Sequence, residues 1–117
     1  MSKRDHMLYI EDILESIDAI DSYLEDLKYE DFMNDRKTYS ATIREFIIIG
    51  EAISNIIELL ESKFPEYPWR LLKDFRNFIV HEYFGVNPQI IYDAGTLELK
   101  EVKQMILQIK NLKDNKI

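Results

Sequence analysis

With 117 residues and a hydrophobic content of 46%, the chain has the size and apolar payload of one ordinary domain, residues 1–117, with one core. The absence of cysteine excludes a disulfide framework, a thiolate zinc site and a cysteine nucleophile. Lys and Arg total 15 against 22 Asp and Glu, a formal charge of −7, which repels polyanions at long range and argues against a broad nucleic-acid-binding surface. Charge is local, however, and Arg70, Lys73 and Arg76 stand against the single acid Asp74, so a basic notch on an acidic body is compatible with these totals. The longest aliphatic and aromatic run, Phe46 to Ile49, is far too short to span a bilayer, and the opening Met-Ser-Lys-Arg-Asp has no signal-peptide character. A soluble, cytoplasmic protein is the expectation.

In chain order, Ser2 or Asp5 can cap a first helix along which Ile10, Ile13, Ile17, Ile20, Leu24 and Leu27 recur at three- and four-residue steps, the signature of a long amphipathic helix. The repeat covers fewer than three heptads, which favours a bundle helix over a coiled coil. The polar stretch from Lys28 to Lys37 predicts a turn, with Asp31, Asn34, Asp35 and Thr38 competing as caps. A second helix, Thr38 to Phe64, carries Ile43, Phe46, Gly50, Ile53, Ile57, Leu60 and Phe64 on one stripe and Ile49, Ala52, Ile56 and Leu59 on the next. So wide an apolar arc requires more than one neighbour, either a subunit partner or the rest of the same bundle, and Gly50 permits a close backbone approach. Glu51 beside it reads as a solvated edge residue, since no second carboxylate or histidine stands at ligand spacing. No metal site and no cofactor is expected.

Pro65-Glu66-Tyr67-Pro68-Trp69 ends the second helix and begins a third, with Trp69 anchoring the corner. The third helix runs from about Pro68 to Tyr83 or Phe84, with Gly85 as a left-handed C-cap. Asn87-Pro88 reads as a cap and first residue of a short helix, which Asp93-Ala94-Gly95-Thr96 breaks. A final helix follows with Leu99, Val102, Ile106, Ile109 and Leu112 as its seam. The fold class is therefore all-α: an antiparallel helical bundle of three long helices, a short helix and a C-terminal helix.

The chemistry concentrates in Arg76-Asn77-Phe78-Ile79-Val80-His81-Glu82-Tyr83. At about 100° per residue, Arg76 and Tyr83 fall nearly in line, and Asn77 and His81 form an i, i+4 pair roughly 100 to 140° further round. Leu71, Leu72, Phe75, Phe78 and Ile79 cluster opposite, so the helix is expected to dock by one face and present polar groups from the other. In the last turn of the helix, the dipole favours a protonated His81. Arg76 and His81 diverge by about 140°, too far for both to grip one small phosphate. Two copies across a twofold axis would bring Arg76 of one chain to His81 of the other. From composition alone, an Arg and a His on a polar helix face are ordinarily solvated or locally paired.

The same run resembles the R-N-x-x-x-H-x-Y motif of HEPN domains, in particular the HepT-like branch. The likeness extends to Tyr9-Ile10-Glu11-Asp12-Ile13-Leu14-Glu15-Ser16-Ile17, Ile49-Gly50-Glu51-Ala52, Pro65-Glu66-Tyr67-Pro68-Trp69 and Tyr83-Phe84-Gly85-Val86, in order and spacing, over nearly the whole chain. Two departures lie outside the motif's polar positions: Asp74 where a glycine is common and Tyr92 where a tryptophan is common. The resemblance implies an all-α homodimer with its motifs at the interface, acting as a metal-independent ribonuclease toxin of a toxin–antitoxin pair. It implies a nucleotidyltransferase antitoxin that adds AMP to Tyr83. On this sequence Arg76 would hold the scissile phosphate of RNA, His81 would be general acid or base, Asn77 would orient one of them, and Tyr83 would line the cleft. A competing expectation is a non-catalytic module that docks the nucleotidyltransferase; a third is a plain structural dimer.

Overall fold

The computed structural model describes residues 5–82 and 85–114. Helix α1, His6–Leu24, starts where Asp5 Oδ1 accepts from the Met7 amide at 2.9 Å, which satisfies one of the donors orphaned at a helix start. Ile10, Ile13, Ile17, Ile20 and Leu24 are all buried, as their spacing predicts. The chain leaves α1 through Asp26, which has a φ of 57°.

The stretch expected to be a turn contains a short helix, α2, Tyr29–Met33. One residue explains it: Phe32 is fully buried, with its ring 5.9 Å from that of Tyr39 and 5.5 Å from that of Tyr92. Burying a side chain of this size stabilises by about 1.5–3 kcal/mol, enough to fold a single turn around it. Of the competing caps, Asp35 is the one used, accepting from the Thr38 amide at 3.0 Å and the Thr38 hydroxyl at 2.6 Å.

The expected second helix is two helices. α3, Arg36–Asn55, and α4, Ile57–Lys63, meet at Ile56, whose φ of −124° and ψ of 23° interrupt the helical path. Periodicity spans the break because Ile53 before it and Leu60 after it are both buried. The wide apolar arc of α3 is covered within the chain: α1 packs on one part and α5 (Trp69–His81) on another, with α2, α4 and α6 (Pro88–Asp93) touching it as well.

α5, Trp69–His81, follows the Pro65–Pro68 corner. Trp69 does anchor that corner, 1% exposed, with its indole Nε1 donating to the Phe64 carbonyl at 3.1 Å. The helix ends at Glu82, whose amide donates to the Phe78 carbonyl at 2.9 Å. Gly85 is not the expected left-handed cap: no glycine here has positive φ, and the Gly85 amide instead closes a turn onto the Glu82 carbonyl at 2.7 Å.

Asn87 caps α6, Pro88–Asp93, accepting from the Gln89 amide at 2.8 Å. The expected break after it does not occur. The backbone continues through a π-helical turn, Ala94–Glu98, into α7, Leu99–Asp114. Gly95 is buried in that turn against α1, where an added Cβ would stand 2.6 Å from Leu24 Cδ1. The smallest residue thus admits the turn to the core without a break in the helix. Leu99, Val102, Ile106 and Ile109 are buried and Leu112 is 51% exposed. Among the described residues no helix is long and apolar enough to cross a membrane.

Candidate functional site

α3 and α5 approach closely at Gly50. A Cβ placed there would lie 2.2 Å from Arg76 Cβ and 2.7 Å from Arg76 Cγ, far inside van der Waals contact. Only a hydrogen fits, and the aliphatic stem of Arg76 lies over the bare backbone of Gly50. At its far end the guanidinium turns outward: Nη2 donates to Glu51 Oε1 at 2.8 Å and Nη1 to Asn77 Oδ1 at 2.9 Å. Nε is buried and has no hydrogen-bond partner. An unsatisfied buried donor costs about 1–3 kcal/mol, so the packing of the seam holds Arg76 where its own hydrogen bonding is incomplete.

This changes the expected orientation of α5. Arg76 does not stand wholly on a presenting face; its stem is part of the seam with α3, and its side chain is 31% exposed. Conversely, Leu71 and Phe78, expected to dock, are 63% and 43% exposed. The docking face is rotated toward Leu72, Arg76 and Ile79 because Gly50 lets α5 sit close to α3 at Arg76.

Glu51, Ser54, Asn55, Lys73, Arg76 and Asn77 surround a polar notch of about 210 Å³. It joins two cations and one carboxylate with neutral hydrogen-bonding groups, on a chain whose formal charge is −7. The local basic patch expected from Arg70, Lys73 and Arg76 is therefore present in part: Lys73 and Arg76 line the notch, whereas Arg70 turns to Glu61 at 3.4 Å. Glu51, read from sequence as a solvated edge residue, is 56% exposed but paired to Arg76. The signal that could have found it is its adjacency to Gly50, since a helix-contact glycine places its neighbour beside the partner helix.

His81 lies in the last turn of α5 and is exposed, as expected. Val80 next to it is 43% exposed. Asn77 is brought to Arg76; His81 is one turn beyond Asn77, toward the C-terminal end of the same helix. Tyr83 lies outside the described residues. Among those described, no three His, Cys, Asp or Glu side chains converge as a metal site would need. A second, larger groove of about 1160 Å³, with Leu71, Leu72, Phe75, Ile90 and Met105 in its wall, shares no lining residue with the notch.

The family described as "Ribonuclease HepT-like" matches residues 13–109 of this chain. A protein of Methanocaldococcus jannaschii named "Putative RNase MJ0127" is 34% identical over 121 residues that cover the whole of both chains. A protein of Thermococcus cleftensis named "Probable ribonuclease HepT" is 39% identical over 101 residues, 86% of this chain and 92% of its own. A Caldanaerobacter subterraneus protein named "Putative RNase TTE0752" is 32% identical over 86% of this chain and 90% of its own. No solved structure matches the chain significantly. The all-α bundle, the match over residues 13–109 and relatives similar along nearly all or all of their length agree: the chain belongs to the ribonuclease HepT-like family.

Proposed function

We propose that this chain is a metal-independent endoribonuclease, the toxin of a cytoplasmic type II toxin–antitoxin pair, whose cleavage site combines Arg76 of one protomer with His81 of a second. The observation that carries the reading is the Arg76 guanidinium, delivered by the Gly50 seam to the rim of a polar notch and hydrogen-bonded by Asn77 at 2.9 Å. A planar cationic fork so held suits phosphate oxygens.

The reaction that fits is attack of a ribose 2′-hydroxyl on the adjacent phosphorus. The 2′-oxygen forms the new bond, the bond to the 5′-oxygen breaks, and the products are a 2′,3′-cyclic phosphate and a 5′-hydroxyl. One proton leaves the attacking hydroxyl and one arrives at the departing oxygen; His81 serves as general base or general acid for one of these transfers. Arg76 offsets the charge that builds on the phosphoryl oxygens, and Asn77 orients Arg76. Exposed Phe78 and Val80 beside the motif, together with Leu71, offer apolar surface that a second copy would cover. The divergence of Arg76 and His81 on one helix favours sharing the site between copies.

Regulation in this reading is by a nucleotidyltransferase antitoxin. The Tyr83 hydroxyl would attack the α-phosphorus of a nucleoside triphosphate, pyrophosphate would leave, and AMP would remain as a phosphodiester. The bulky anion so attached would then repel and block the substrate phosphate. The alternative is a non-catalytic module that only docks the nucleotidyltransferase, a reading favoured by the formal charge of −7.

Purified protein is expected to cleave RNA in EDTA. Arg76→Ala and His81→Ala should each lower cleavage by on the order of 10²–10⁴ with unchanged circular dichroism; unaltered cleavage in both overturns the assignment. Mixing the two inactive variants should restore roughly a quarter of wild-type activity through hybrid dimers that own one intact composite site. Failure to restore any would place both groups in one chain. AMP transfer to Tyr83 with no cleavage by unmodified protein would select the docking module.

A further inference from the structure

Glu51 has no role in the site as described so far, yet its contact with Arg76 is as short as any ion pair among the described residues. We infer that Glu51 is a positioning residue of the cleavage site, fixing the Arg76 guanidinium for the scissile phosphate; this rests on the ribonuclease reading above.

The three guanidinium nitrogens of Arg76 differ in what they can still bind. Nε is buried in the α3–α5 seam and reaches no ligand. Nη1 gives one N–H to Asn77 Oδ1 and Nη2 gives one to Glu51 Oε1. A guanidinium carries five N–H groups, so one remains on each terminal nitrogen for a phosphate to meet. The stem is pinned over Gly50. The tip is held from two directions, by Asn77 on its own helix and by Glu51 on the helix opposite.

Without Glu51 the remaining tip contact comes from the adjacent residue of the same helix, which turns with α5 and cannot fix the guanidinium relative to α3. Arg side chains carry about 2 kcal/mol of rotamer entropy, and holding that freedom in advance is what preorganises a site. An opposing effect is the negative charge of Glu51, which weakens attraction for RNA. With Glu51 56% exposed, water screens that charge, and exposed pairs are worth only about 0–1 kcal/mol. Placement of reacting groups matters more, since a misplacement of about 1 Å can cost on the order of a hundredfold in rate. The two effects act on different quantities: positioning acts on the chemical step, charge on binding.

The test is single-turnover cleavage of a fluorescent RNA, with binding measured separately on its 2′-deoxy analogue, which cannot be cleaved by this route. Glu51→Ala should lower the cleavage rate on the order of tenfold to a hundredfold while binding the analogue no more weakly than wild type. Glu51→Gln, whose amide oxygen still accepts from Nη2, should recover most of the rate. A Glu51→Ala rate equal to or above wild type would overturn the inference and make Glu51 a competitor of substrate phosphate. So would a Glu51→Gln variant no better than Glu51→Ala. The Arg76 Nη2–H resonance in 15N-labelled protein gives a readout independent of catalysis: sharp and slowly exchanging in wild type, broadened in Glu51→Ala. An unchanged resonance overturns the positioning role. A wild-type protein that cleaves no RNA overturns the ribonuclease reading alone, and the resonance then decides whether Glu51 holds Arg76.

Discussion

α1 and α7 pack against each other, and the residues they bury include Ile10, Ile13 and Ile17 on one helix and Val102, Ile106 and Ile109 on the other, each 1% exposed or less. Where α3 and α5 meet, a glycine lies under the stem of an arginine, with the arginine's Nε left unpaired. The first seam gains stability from interchangeable apolar volume. The second gives up a hydrogen bond and a side chain's worth of burial and places one cation at the rim of a notch. Stability and placement are thus divided between different helix pairs of the same bundle.

That division can be broken from either side. The largest loss of stability should come from the apolar seam: Ile106→Ala, at a fully buried position, is expected to cost about 2–5 kcal/mol in urea unfolding. Cleavage per folded molecule should stay unchanged, and a parallel loss of both would show that the seams are coupled. Gly50→Ala should cost less, about 1–3 kcal/mol from overpacking. The added Cβ meets Arg76 Cβ and Cγ, atoms too close to the backbone to swing away, so α5 must shift and cleavage should fall by more than the folded fraction does. Normal cleavage by a folded Gly50→Ala protein would show that the close approach is not what places Arg76.

The smallest effect is expected at the surface pair that joins α1 to α7, where Lys103 Nζ lies 2.9 Å from Asp18 Oδ1. Its hydrogen bond to Asp18, and then the carboxylate's charge, raise the Lys103 pKa above the ordinary 10.5. A raised folded-state pKa means that the pair's contribution is complete below the unfolded lysine's pKa and is lost as pH rises through the folded one. Asp18→Asn should therefore remove at most about 1 kcal/mol at neutral pH, and the difference from wild type should vanish in the alkaline range above 10.5. A difference that persists there would assign the effect to packing.

Much of the bundle was legible residue by residue. The α1 spacing, the Asp5 and Asn87 caps, the Trp69 corner and the seam of α7 all depend on local chemistry and helical period, which a sequence displays directly. The misreadings have a common cause. The helix around Phe32, the interruption at Ile56 and the π-helical turn at Gly95 each follow from where a residue must sit against a distant element. Periodicity runs through Ile56 unbroken, and Gly95 looks like a breaker until α1 is placed against it. At the site, Arg76, Asn77 and His81 were identifiable as candidates by type and spacing. Glu51 reads as a solvated edge residue until the helix 25 residues away that carries its partner is placed beside it.

By itself the sequence determined an all-α chain, the order of its main helices and the residues with chemistry to offer, since these follow from local propensity, capping and period. Only the tertiary structure decided which side of α5 faces inward, that Arg76 belongs half to the core and half to the surface, and that Glu51 stands at its tip. The reason is geometric: a helix has one period but many possible rotations about its axis, and the rotation of α5 is fixed by the single place on α3 where the backbone is bare, Gly50.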